Sequence, residues 1–223
     1  MPNLYDYDKF QSYLFELESA LSLASLKKCR GLEEDTPISA AIYALLRATS
    51  LFRASLSLVE SRLMDAGDVV RRAYWEAWML GYEFRIESAS SHAARWHVEK
   101  RKHGEPKIGV VKTFERSHGI TTSTYGADYG GLSEVAHPTK SAAENSLVTV
   151  TAIHGNPDNK VRIEQARETI ASGDAPSMMY LLIWTITAEW PGMISLGIKP
   201  EDIPRAAAFY SEYEHQNPGA ITQ

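Results

Sequence analysis

One cysteine, Cys29, is all the thiol chemistry that 223 residues carry. No intrachain disulfide can form and a multi-thiolate metal site is excluded. A reducing, cytoplasmic setting is therefore expected. The amino terminus, MPNLYDYDKFQSYLFELE, lacks both the basic start and the apolar block of a secretory signal. Long hydrophobic runs are missing too. The most apolar one, 178-MMYLLIWTITAEW-190, is shorter than the ~20 residues that cross a bilayer and is followed at once by Pro191-Gly192. It reads as a buried core helix, and no membrane partner is expected. A glycine-rich phosphate loop, a nucleophile elbow and a zinc signature are all absent, and Gly130-Gly131 reads as a turn. Positive charge is not in excess. Lysine and arginine total 23 against 28 acidic residues, a net charge of −5, which argues against coating nucleic acid by bulk charge but leaves room for a local basic patch.

What is present is helical periodicity. The spacing of Phe10, Leu14, Leu17, Leu21 and Ala24 predicts a first helix over about 6–26. Thr36-Pro37 suits an N-cap followed by proline at the first helical position. The second helix, about 38–63, is apolar on nearly every side, as befits the centre of a bundle. A break at 64-MDAGD-68 leads to a third over about 68–87, and a charged helical stretch covers 91–116. Residues 145–164 are β-branched and then carry the turn signal Asn156-Pro157, so a short irregular or β-hairpin insert is expected there. Helix returns over about 176–196 and 204–213, the C-terminal helices of 176–213. The whole, 1–223, reads as one all-α domain, a helical bundle with one irregular insert.

Several polar residues stand out from this pattern. Arg53 and Glu60 lie at the edge of the apolar face formed by Ile42, Leu45, Thr49, Phe52, Leu56 and Leu63. An arginine facing a core needs a carboxylate, because an unpaired buried charge costs several kcal/mol. The third helix offers Asp68, Arg72 and Glu76 at successive i, i+4 positions. Arg53, Arg72, Glu60 and Glu76 are thus expected to form an ion-pair network between the two helices, either purely structural or orienting a polar site. The working group of such a site would be His137, in 129-YGGLSEVAHPTK-140. Ser133 lies one helical turn before it and Tyr129 about two turns before. Pro138 stops the helix and leaves the imidazole at a carboxyl end, where a histidine also serves as an ordinary cap.

Two stretches, 53-RASLSLVESRLMDAGDVVRRAYWEAWMLGYEF-84 and 129-YGGLSEVAHPTK-140, together resemble a bacterial all-helical family without a defined activity. Its pattern is an Arg-x-x-x-Glu helix followed by Tyr-x-x-Leu-Ser-x-x-x-His-Pro. The matching residues are Arg72 and Glu76, then Tyr129, Leu132, Ser133, His137 and Pro138, within a core of about 36–140. That family looks related to the HEPN superfamily (higher eukaryotes and prokaryotes nucleotide-binding). The resemblance implies a HEPN-like bundle, a homodimer, and a metal-independent ribonuclease of a toxin–antitoxin or phage-defence system, with an antitoxin or another protein as partner. The superfamily's catalytic signature is an arginine followed after four to six residues by a histidine. Only 85-RIESASSH-92 has that spacing here, which makes Arg85 and His92 a reserve pair.

On this reading the 2′-hydroxyl of RNA attacks the adjacent phosphorus. His137 would move the proton, Arg72 or Arg53 would stabilise charge on the phosphorane, and Glu76 would orient them. Arg95, Lys100, Arg101, Lys102 and Lys107 could grip the phosphate backbone, or simply belong to a solvated helix end. The alternative is a non-catalytic helical module that binds a protein partner or a nucleotide, with a structural polar cluster. Glu-x-x-His occurs at 115–118, 134–137 and 212–215, the spacing found in di-iron bundles, but with 19 glutamates and seven histidines such matches arise easily. No metal and no cofactor is expected.

Overall fold

The computed structural model describes residues 5–28, 36–86 and 140–218. Among these the chain is an all-α bundle, with one isolated bridge, Ile86 to Met193, as its sole extended pairing. Helix α1 spans Tyr7–Lys28, α2 Pro37–Glu60 and α3 Met64–Phe84. Helices α4, Lys140–Ile153, and α5, Pro157–Thr169, follow. A π-helical turn, Ile170–Asp174, joins α5 to α6, Ala175–Thr187, and α7 runs from Pro204 to Gln216.

The start of α2 is set as its sequence predicts. The Thr36 hydroxyl accepts from the Ser39 backbone N–H at 3.2 Å, the Ser39 hydroxyl accepts from that of Thr36 at 3.1 Å, and Pro37 gives up an N–H that would have no partner. The end of α2 comes sooner than expected. Arg62 takes a positive φ of 62° and turns the chain within Ser61–Leu63, so α3 begins at Met64 and the break expected at 64–68 is helix. This tight turn lays α3 antiparallel on α2 in the most extensive helix contact among the described residues. Gly81 permits the close approach, since a Cβ there would lie 2.6 Å from Leu45 Cγ.

The core is filled from α1 (Phe10, Leu14, Leu17, Leu21), α2 (Leu45, Phe52, Leu56), α3 (Tyr74, Met79, Phe84) and α6 (Met179, Leu182, Ile183). Helix α2 has the length and composition to cross a bilayer, and its packing between α1, α3 and α6 accounts for that apolarity.

The hairpin expected at 145–164 is not there. Val148, Thr149, Val150 and Thr151 sit in α4, because β-branching costs a helix only a few tenths of a kcal/mol per residue and packing of Val148, Thr149 and Ala152 outweighs it. The turn signal is a helix start: Asn156 accepts from the N–H groups of Asp158 and Asn159, and Pro157 occupies the first turn. Pro176 explains the π turn. It has no N–H and its ring clashes with the carbonyl four residues back, so the helix widens before it and the Ala175 N–H reaches Ile170 O.

Helix α6 stops at Thr187, short of the expected 196, and its exposed carbonyls are met from a distance. The guanidinium of Arg85, just past α3, donates to the carbonyls of Thr185 and Ala188, and its Nε to that of Ile194 at 3.1 Å. The start of α7 is met likewise from α1: Glu16 accepts from the Ala206 N–H at 2.8 Å and pairs with Arg205 at 3.4 Å. A cation at a carboxyl end and a carboxylate at an amino end both suit the helix dipole.

Candidate functional site

Of the residues singled out in the sequence, Arg53, Arg72, Glu76 and Arg85 lie in described helices or at their ends. Tyr129, Ser133, His137, His92, Arg95, Lys100, Arg101, Lys102 and Lys107 lie outside the described residues.

The single network expected between α2 and α3 is replaced by separate pairs with different partners. Arg53 pairs with Glu18 of α1 at 3.0 Å, and Ser50 donates to the same carboxylate at 3.1 Å. Glu60 faces α5, where it accepts from Arg167, and it also accepts from the Tyr5 hydroxyl at 3.0 Å. The cause is geometric: Arg53 and Glu60 stand seven residues apart on α2, where Arg53 meets α1 and Glu60 meets α5. Burial, then the Glu60 charge, push the Tyr5 hydroxyl well above its ordinary range. Arg167 also pairs with Glu164, which Arg62 holds from the end of α2. The hydrogen bond from Arg62 holds the Glu164 carboxyl below its usual range. The Arg72–Glu76 pair does form, at 3.3 Å within α3.

Arg85 is the largest fully buried side chain among the described residues, with 1% of its surface exposed. Burial pushes its guanidinium down to about 10, against a partial restoring effect of Glu189. It keeps its charge at neutral pH, and the three backbone carbonyls take up its donors. A group so enclosed does not reach a phosphate. Arg85 thus acts as a cap on the end of α6, and His92, its expected partner, lies outside the described residues.

A cavity of about 360 Å³ lies where α3, α4, α5 and the π turn meet. Of its polar wall, Asp68 alone was singled out in the sequence. Arg71 bridges two carboxylates, 2.8 Å from Asp174 and 2.9 Å from Asp68, the second contact not aligned as a hydrogen bond. Asp65 accepts from the hydroxyls of Ser146 at 2.9 Å and Thr149 at 3.5 Å. Burial pushes the Asp68 carboxyl upward; Arg71 opposes this, and Asp174 and Asp65 add to it. Arg162 lines the cavity and is exposed. Met64, Val148, Ile163, Ala166 and Ile170 supply an apolar floor. Asp65 and Asp68, three apart before an apolar stripe, were the available signal. Asp174 and Arg162 are about a hundred residues away in sequence and carried none.

No group of three or more His, Cys, Asp or Glu side chains that could hold a metal ion is found among the described residues. Comparison of the chain with protein-family models, curated proteins and solved structures finds no match.

Proposed function

We propose that this chain is a HEPN-like, non-catalytic binding module that engages another protein chain, a second copy of itself first of all. The observation that carries the reading is the enclosure of Arg85. The one arginine with the superfamily's spacing to a histidine is a structural cap for α6. Arg53 and Glu60 are likewise occupied in tying helices together. An apolar row on α4, Leu147, Val150 and Ile153, is left on the surface, each residue about half exposed or more. A row of this kind on a helix is the ordinary material of a protein interface. The test is light scattering on the purified chain. A dimer of twice 24.8 kDa is expected, reduced to a monomer by Val150→Glu with Ile153→Glu. A wild-type monomer at about 50 μM, well above the Kd of a stable dimer, would overturn the dimer.

The metal-independent ribonuclease stays as a second reading because Arg72 and Glu76 do pair on α3. It is tested with end-labelled total RNA in excess EDTA, comparing wild type with folded His137→Ala, Arg72→Ala and His92→Ala. No cleavage is expected from any of them. Cleavage by wild type that vanishes in His137→Ala would replace the binding-module reading with the enzymatic one.

A further inference from the structure

The cavity between α3, α4, α5 and the π turn combines three chemistries. Asp65 and Asp68 of α3 and Asp174 of the π turn face the single charge of Arg71, which is already held between two of them. The floor of the cavity is aliphatic. On α5, Arg162 has no hydrogen bond or ion pair with any other described residue. An anion is poorly served here, because Arg71 is occupied and the neighbouring carboxylates repel it. An apolar ligand would make no use of the charged wall and would cost it part of its hydration. A metal ion finds no suitable donor group among the described residues.

We propose that this cavity binds a small basic amino acid, or a molecule of that chemistry. The ligand has a terminal ammonium or guanidinium, a short aliphatic stem and a carboxylate. The cationic end meets Asp65 and Asp68, the stem lies over Val148, Ile163 and Ile170, and the carboxylate pairs with Arg162. Each part of the lining then has a use. The volume of about 360 Å³ lies in the range of small-ligand pockets. This inference does not depend on whether the chain cleaves RNA.

The experiment is titration calorimetry of the full chain with L-lysine, L-arginine, a four-carbon diamine, L-glutamate and AMP. Saturable binding is expected for the basic amino acids, and weaker binding for the diamine, which cannot use Arg162. Asp65→Asn keeps an acceptor for Ser146 and should weaken both cation classes by about tenfold or more. Arg162→Ala, an exposed change that leaves the fold alone, should weaken the amino acids and leave the diamine unchanged. Circular dichroism confirms that both variants fold. Failure of every cation to saturate by about 10 mM would overturn the proposal. So would tight AMP or glutamate binding, or Asp65→Asn that folds and binds as wild type does.

Discussion

Arg85 and Arg53 look alike in sequence, each an arginine near an apolar helix face, and their surroundings separate them. Arg53 is part-exposed and meets one carboxylate, so Arg53→Ala should cost no more than about 1 kcal/mol in urea denaturation. Arg85→Met fills similar space but leaves the carbonyls of Thr185, Ala188 and Ile194 without their donor, at about 1–3 kcal/mol each. A loss of at least ~3 kcal/mol is expected, and a loss below 1 kcal/mol would show that the cap matters little. Nothing in the sequence marks the difference, because the three acceptors are backbone atoms about a hundred residues away.

The tyrosines set the alkaline limit. Burial raises the Tyr74 hydroxyl well above its ordinary value, and Tyr5, Tyr82, Tyr180 and Tyr210 are raised as well. Each keeps its proton in the fold and releases it more readily when unfolded. Their contribution is present below pH ~10 and lost as pH rises beyond it. Arg85, whose folded value is lowered, acts in the opposite sense between about 10 and its unfolded value, one group against several. Tyr74→Phe loses the hydrogen bond to Met178 O and about 1 kcal/mol at pH 7. Its stability should fall less steeply than wild type between pH 10 and 11, as read by denaturation at each pH.

At the scale of helices, the α2–α3 pair is where sequence and structure agree best. The periodicity, the Thr36-Pro37 start and the apolar faces were all legible, because each depends on residues within a turn or two. Gly81 was not, since its reason is Leu45 on the neighbouring helix. A methyl group at Gly81 would fall 2.6 and 2.7 Å from that side chain and 3.3 Å from its backbone nitrogen, so Gly81→Ala should destabilise by about 1–3 kcal/mol despite alanine's higher helix propensity. Gly173 has open space around it, and Gly173→Ala should stabilise by up to ~1 kcal/mol. Thermal unfolding of the two variants should therefore move in opposite directions. Residues 145–164 were misread because β-branched residues and an Asn-Pro pair serve both a hairpin and a pair of helices, and only burial against α3 decides between them.

Across the whole molecule, α4 and α5 are held differently from the rest. Helix α5 buries one residue, Ile163, and the pair is fastened mainly by polar ties: Glu60 to Arg167, Arg62 to Glu164, Arg71 to Asp174 and Asp65 to Ser146. Amide exchange should be faster in α4 and α5 than in α2, α3 and α6, and faster still in 1 M salt, where screening shortens to about 3 Å. Equal protection throughout would show that the apolar contacts alone hold them. The all-α architecture was legible in the sequence, whereas the candidate site was not: Arg72 and Glu76 pair within α3 instead of joining a network between α2 and α3, and the cavity draws its wall from segments a hundred residues apart. The Arg85 cap also bears on the order of synthesis. Its acceptors leave the ribosome about a hundred residues after it, an interval of ~5–20 s at ordinary elongation rates. Throughout that time the nascent α2–α3 hairpin ends in a hydrated positive charge, which opposes self-association of its apolar surface until α6 arrives to cover both.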